Sequence, residues 1–210
     1  RMGARESRQE ELSKIKEERF NPATVIEPQN SYVNAIRRAI PDDGILISGM
    51  TQIGYYSRNK YEVYEPRTYL TSSYYGNLGF AYPTALGAKV ARPDKPVIAV
   101  SGDGGFMFNV QELSTAVHHN INAIVVVFND NAFGNVMRDQ VNMFDGREYG
   151  AIVHNPDFMK LADAFGARGV RIEDGDPDTL EKELSNSINI EAPTLIEVPV
   201  GEMPNPFRDY

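Results

Sequence analysis

Apolar residues along this chain fall into two kinds of run. Some have the length of strands: Gly44–Ser48, Tyr69–Thr71, Val97–Val100, Ala123–Phe128, Arg168–Ile172 and Thr194–Val198. The run at 123–128 is apolar throughout, the pattern of a parallel strand covered on both faces. Others repeat at helical spacing. In Ser31–Ile40, Val33, Ile36 and Ile40 share a face, and Pro41 stops the helix. Phe80–Ala91 is rich in small residues that permit close packing on a sheet. Val110–His119 gathers Leu113, Ala116 and Val117, with Asn120 as its stop. Asp157–Phe165 runs into Gly166, and Asp178–Ile188 follows Pro177. Strands and helices in alternation predict an α/β fold: a mostly parallel sheet of about six strands with helices on both faces.

The two ends break this pattern. Glu6–Phe20 is charged and helix-favouring behind Arg1, and residues 1–26 read as a linker from a preceding domain. Residues 27–200 read as one domain, and 201–210, with Pro204 and Pro206, as a C-terminal tail. The chain is expected to be a piece of something longer.

A length of 210 residues suits one large domain. With 29 acidic and 21 basic residues the net charge is −8, which argues against a nucleic-acid surface. The absence of cysteine excludes disulfides and thiolate metal sites and fits a cytoplasmic protein. No apolar run approaches the roughly 20 residues needed to cross a bilayer, so no membrane partner is expected.

Two turns carry the chemistry. Gly102-Asp103-Gly104-Gly105 follows the run 97–100, and Asn129-Asp130-Asn131 follows the run 123–128. The 24 residues between Gly104 and Asn129 hold one crossover helix and one strand. In such a βαβ unit the strands are parallel, so both turns share the carboxyl end of the sheet. Adjacent strands would set them about 5 Å apart, and one intervening strand would double that; either spacing lets one ligand touch both. Glycines admit backbone N–H groups to phosphate oxygens, and the helix after each turn offers unpaired N–H groups. Acidic side chains beside an anion call for a hard cation, and Mg²⁺ takes oxygen ligands at about 2.1 Å. Asp103, Asp130, a backbone carbonyl, two phosphate oxygens and a water would fill its shell. Either turn alone is an everyday turn sequence; the pair at this spacing reads as a magnesium-diphosphate site. No Gly-Lys-Ser/Thr follows the glycines and no G-x-G-x-x-G is present, so the nucleotide P-loop and the dinucleotide fingerprint both fail.

Gly102-Asp103-Gly104 through Asn129-Asp130-Asn131 resembles the thiamine-diphosphate motif of acetolactate synthase-like enzymes. From about Glu27 to Val200 the chain is similar to their C-terminal diphosphate-binding domain. The resemblance implies thiamine diphosphate and Mg²⁺ as cofactors. Asp103, the Asp130 side chain and the Ala132 carbonyl are the implied metal ligands, although the family more often has asparagine at position 130. Arg67–Lys89 resembles the segment ahead of the first motif. It implies that the Gly76 carbonyl contacts the aminopyrimidine and that Leu78 is an apolar wedge bending the cofactor, so that a proton transfer becomes intramolecular. Taken by itself, Leu78 would be an ordinary core leucine. Gly49-Met50-Thr51-Gln52 resembles a turn with further diphosphate contacts, from Thr51 and Gln52. Gly102, Gly104, Gly105, Phe133 and Gly134 complete the implied cofactor contacts.

The implied function is decarboxylation of a 2-oxo acid with transfer of the acyl-anion equivalent to a second carbonyl. Two alternatives stand beside it: a 2-oxo acid decarboxylase of benzoylformate or phenylpyruvate type, and a catalytically silent cofactor-binding module. No catalytic acid or base is expected on this chain. The family's activating glutamate lies on a pyrimidine-binding domain, of the same protein or of a partner subunit, that no segment here resembles. The resemblance further implies a homodimer or tetramer, with FAD confined to a domain absent from this sequence.

His118 and His119, adjacent on a helix, point about 100° apart and make no metal pair. His154 falls in an irregular stretch where the family carries mobile substrate loops. The tyrosines between 55 and 75 suit the core or a subunit interface, and Arg37-Arg38 reads as a solvated helix face.

Overall fold

All six strand-length runs enter one sheet. They are β1 (Ile45–Ser48), β2 (Tyr69–Thr71), β3 (Val97–Gly102), β4 (Ile124–Asn129), β5 (Arg168–Arg171) and β6 (Thr194–Pro199). Their order is β2-β1-β3-β4-β6-β5, and every pairing is parallel. The computed structural model describes residues 7–207. Glu6, at the front of the charged stretch, and residues 208–210 of the C-terminal segment lie outside it.

Side-chain alternation builds two cores. In β4, Ile124, Val126 and Phe128 face one cluster, with Tyr32, Val33 and Ile36 of α2 (Gln29–Ala39) and Leu180 and Leu184 of α9 (Pro177–Ser187). Val125 and Val127 face the other. There they meet Ala85 and Leu86 of α4 (Ala81–Ala91), Leu113 and Ala116 of α6 (Glu112–His118), and Phe158 and Ala162 of α8 (Phe158–Phe165). Each wholly buried Val, Leu or Ile contributes about 1.5–3 kcal/mol, so the strands are anchored from both faces and their carboxyl ends are held in register. The helix starts match local chemistry. The Asp157 side chain accepts from the backbone N–H of Met159 and Lys160, and Asp176 caps α9 ahead of Pro177.

Four further helices complete the described chain: α1 (Gln9–Arg19), α3 (Gln52–Lys60), α5 (Asp103–Met107) and α7 (Gly134–Met143). The charged stretch gives α1, which buries no residue. The other three were not marked by periodicity, for separate reasons. The segment expected as a turn at Gly49–Gln52 runs straight into α3. α5 has five residues, too few to show a period. α7 buries nothing, so it carries no core-facing stripe.

The Arg37-Arg38 expectation is corrected in half. Arg38 is exposed, but the Arg37 side chain is only 11% exposed. It lies over the Tyr61 ring and donates to the Tyr61 hydroxyl at 2.8 Å. Tyr56 and Tyr61 are buried, while Tyr64, Tyr74 and Tyr75 are exposed. Parts of both flanking segments contact the fold. Lys60 Nζ donates to the Arg19 carbonyl and to Thr24 Oγ1. Met203 is buried, and Gln29 Nε2 donates to the Pro204 carbonyl at 2.7 Å. Among the described residues no helix is long and apolar enough to cross a membrane.

Candidate functional site

β3 and β4 are direct neighbours, with Gly102 opposite Phe128. Asp103 and Asn129 therefore leave the sheet side by side, at a strand spacing of about 4.8 Å, and Asp130 follows one residue on. β1 lies on the other side of β3, with Ser48 opposite Val100, which brings Gly49–Gln52 to the same edge. The strand order reverses here: the chain leaves β1 outward to β2, then crosses back to β3. Open α/β sheets bind ligands in the crevice at this point.

A cavity of about 110 Å³ opens there. Thr51, Gln52, Leu78, Gly102, Asp103, Gly104, Gly105, Asp130, Ala132, Phe133 and Gly134 all line it. Gly76 does not; it stands behind Met50, which does line the cavity and whose methyl would be 3.0 Å from a Cβ at position 76. Leu78 belongs to neither core cluster and forms a half-buried part of the wall. Two glycines stand close to side chains of the site, which would have to shift to admit a Cβ. A Cβ at Gly104 would sit 2.3 Å from the Phe133 ring, and one at Gly134 2.5 Å from Asp130 Oδ2.

Three helices begin at this cavity: α3 at Gln52, α5 at Asp103 and α7 at Gly134. In none of them does the side chain of the N-cap residue bond the first turn. Their first N–H groups lack intrahelical partners, and the positive ends of the helix dipoles converge. That is an anion cradle built from main chain.

Inside it stand two carboxyl groups. Asp103 is 1% exposed. Burial raises its pKa, opposed by a hydrogen bond from Asn155 and by the backbone N–H groups of Gly104, Asp103 and Asn131. Burial pushes Asp130 up to about 6, and the negative charge of Asp103 adds to the shift. No residue lining the cavity is basic, so the two charges repel without a cationic side chain to offset them. The Ala132 main chain points the same way. Asn131 O and Phe133 N–H pair with the segment 151–153 in an antiparallel bridge, so the N–H and C=O of Ala132 face the opposite side. There the Ala132 N–H donates to Asp130 Oδ1 at 3.2 Å. Among the described residues the Ala132 carbonyl accepts no backbone hydrogen bond. Two carboxylates and an open carbonyl are hard oxygen donors, a set suited to Mg²⁺; no cluster of three His, Cys, Asp or Glu residues competes with it among the described residues.

A polar network holds these groups. Asn155 Nδ2 lies within hydrogen-bonding distance of Asp103 Oδ2 (2.5 Å), Asn129 Oδ1 (3.0 Å) and Asn131 Oδ1 (3.2 Å). Asn129 Nδ2 donates to Glu197 Oε1 at 2.7 Å, and Arg171 Nε donates to Glu197 Oε2 at 2.7 Å. Sequence reasoning missed Asn155, because it sits in an irregular segment far from either motif. It also missed Tyr55, Asn135, Val136, Val200 and Met203 in the cavity lining. Val200 and Met203 were reachable only by knowing that β6 pairs with β4. The histidines stay outside: His118, His119 and His154 are exposed and line no part of the cavity.

The chain is similar to known proteins in sequence and in fold. The family described as thiamine pyrophosphate enzyme, C-terminal TPP binding domain, matches residues 49–198. The acetolactate synthase large subunit of Haemophilus influenzae is 35% identical over 167 residues, 79% of this chain and 29% of that protein. Sulfoacetaldehyde acetyltransferase of Castellaniella defragrans is 30% identical over 201 residues, 94% of this chain and 33% of that protein. Among solved structures, the thiamine diphosphate-dependent 4-hydroxybenzoylformate decarboxylase of Rhodococcus jostii RHA1 superposes with a TM-score of 0.75 at 26% identity. That match covers 82% of this chain and 32% of the decarboxylase. The chain thus spans about a third or less of the length of these proteins.

Proposed function

The chain belongs to the thiamine pyrophosphate enzyme family, as its C-terminal TPP-binding domain, and on that footing we propose that it is the magnesium- and diphosphate-holding part of an acetolactate synthase-like enzyme. The whole enzyme would decarboxylate a 2-oxo acid and pass the acyl-anion equivalent to a second carbonyl. One observation carries the reading: a buried carboxyl group, Asp103, and a half-buried one, Asp130, meet at the ends of adjacent strands, with no cationic side chain in the cavity lining, inside three helix starts where no N-cap side chain bonds the first turn. Asp103, Asp130 and the Ala132 carbonyl would hold Mg²⁺. N–H groups of Gly104, Gly105 and Gly134, with Thr51 and Gln52, would hold the diphosphate, and Phe133 and Gly102 would shape the floor.

When bound, thiamine diphosphate supplies the carbon nucleophile that attacks carbonyls. This chain would bind and orient it. Leu78 would set the bend between its rings and Gly76 would meet the pyrimidine. A cavity of about 110 Å³ falls well short of the roughly 300 Å³ at which small-molecule sites begin. The pyrimidine half would therefore be enclosed by a second surface, the pyrimidine-binding domain of the parent protein or of a partner subunit in a homodimer or tetramer. That surface would carry the activating glutamate.

Simple decarboxylation is the second reading. It rests on the likeness to the Rhodococcus decarboxylase and to the probable 2-ketoarginine decarboxylase of Pseudomonas aeruginosa, 34% identical over 169 residues, 80% of this chain and 30% of that protein. A product assay on the full-length protein separates the two. Acetolactate from pyruvate is the expected result; aldehyde release alone, from pyruvate or an aromatic 2-oxo acid, would replace ligation with decarboxylation. No melting-temperature rise with thiamine diphosphate and Mg²⁺ together would overturn the cofactor assignment.

A further inference from the structure

Arg138 lies in the second turn of α7, half-buried. Its Nη1 donates to Gln52 Oε1 at 3.3 Å, and its Nη2 donates to Asn135 Oδ1. Both acceptors line the cavity, and both are neutral amides. No carboxylate forms an ion pair with Arg138 among the described residues. A partly desolvated guanidinium held only by amide oxygens keeps its whole charge available. It keeps donors too, because a guanidinium has five N–H groups and these contacts use two of them.

The placement gives that charge a purpose. Beside the cavity runs a narrow crevice that shares Gln52, Asp130, Gly134 and Met203 with it. Arg138 lines the crevice and Leu78 the cavity, and neither lines both. Among residues lining either space Arg138 is the one basic side chain; Arg58, one helix over, is exposed and lies over the Tyr55 ring. Charge counting sharpens the point. Asp103 and Asp130 would cancel one divalent cation, and the exposed Glu202 also lines the crevice, so the anion on a bound diphosphate is otherwise opposed only by helix ends. In a helix, side chains lean back toward the N-terminus, so Arg138 leans over the start of α7.

We propose that Arg138 reads the length of the cofactor's phosphate chain, its guanidinium meeting the terminal phosphate and so favouring a diphosphate over a monophosphate. This rests on the cofactor reading above and adds to it a discriminating residue that neither acidic turn supplies. The Gln52 and Asn135 contacts aim the fork. Arginine suits this task because its planar donors bridge two phosphate oxygens, which a lysine ammonium does not reproduce.

The test compares Mg²⁺-thiamine diphosphate with Mg²⁺-thiamine monophosphate on the full-length protein. Dissociation constants would be taken from intrinsic fluorescence or calorimetry for the wild type, Arg138→Gln and Arg138→Lys. Wild type is expected to prefer the diphosphate. Arg138→Gln should weaken the diphosphate on the order of tenfold and the monophosphate by less than about twofold, with Arg138→Lys between; the ligand-free melting temperatures should agree. Equal diphosphate affinity in wild type and Arg138→Gln would overturn the inference and leave the cofactor reading intact. Equal loss for both ligands would also overturn it, assigning Arg138 to general cavity shape. Failure of the wild type to bind either compound would remove the cofactor reading and this inference with it.

Discussion

The sheet has two ends, one ringed by helix starts and the other by helix finishes. At the carboxyl end α3, α5 and α7 begin, and their free N–H groups surround a cavity of about 110 Å³ that holds Asp103 and Asp130. At the amino end α4, α6 and α9 finish around a cavity of about 590 Å³, more than five times larger. Size points to the wrong end. Helix starts attract anions and helix ends attract cations, and the amino end already has its cation. Lys89 Nζ donates to the carbonyls of Pro93 and Lys95 at 3.0 and 2.8 Å, and Lys95 pairs with Asp43. The two lysines of the amino end are both engaged, whereas the carboxyl end keeps two charges that no cationic side chain in its lining offsets. An unbalanced charge inside a polar cradle locates the site better than volume does.

Breaking that imbalance should have the largest effect. Asp103→Ala is expected to weaken Mg²⁺-thiamine diphosphate binding on the order of 100-fold or more, read as loss of the ligand-induced melting shift. The same change at exposed Asp94, on the amino-end cavity, should leave the shift unaltered. An unchanged shift in Asp103→Ala would dissolve the contrast between the two ends.

Next comes the support behind the site. Glu197 is 3% exposed and bonds both Arg171 and Asn129. Glu197→Ala removes the acceptor of the Asn129 amide and leaves Arg171 with Asp157 alone, and should cost about 2–3 kcal/mol, less than a fully buried pair because Arg171 is 30% exposed and keeps that second partner. Urea unfolding with an unchanged midpoint would contradict it.

A smaller effect sharpens the comparison through pH. The Asp130 carboxyl, at about 6 in the folded protein, lies above the roughly 3.9 expected of the unfolded chain. The folded state therefore binds the extra proton between these values. Ligand-free stability should fall as pH rises through that window and level off above it. Asp130→Asn should flatten this slope and raise the ligand-free melting temperature at pH 7.5 by roughly 2–4 °C. Mg²⁺ competes with the same proton, so its affinity should drop below about pH 6. A wild-type protein whose melting temperature is flat across pH 4–7 would count against the repulsion between the two carboxyl groups.

The smallest change belongs to the amino end. Lys89→Met removes a cation from two carbonyls and should lower stability by about 1 kcal/mol, with cofactor affinity unmoved. A matching loss of affinity would mean that the two ends are coupled.

Much of this was legible in the chain. A strand buried on both faces must be apolar at every position, so the run at 123–128 announced β4 and a parallel sheet. Asp103 and Asp130 were legible because their glycines and asparagines mark strand-end turns and their spacing forces both to one edge. Helices that bury little left no such trace: a helix start was expected after the second turn, but periodicity gave no bounds to α7, which supplies Gly134, Asn135 and Arg138 to the site region.

By itself the sequence determined the fold class and the shared edge of the two acidic turns, because periodicity and strand direction are local properties; the family was legible only through the resemblance of those turns to a known motif. The tertiary structure alone decided that β3 touches β4, that Asn155 reaches Asp103 across 52 positions, and that Arg138 lines the crevice beside Asp130 and Glu202 without forming an ion pair with either. Those facts depend on which distant segments share space, and the residue types at Asn155 and Arg138 are the ordinary currency of any protein surface.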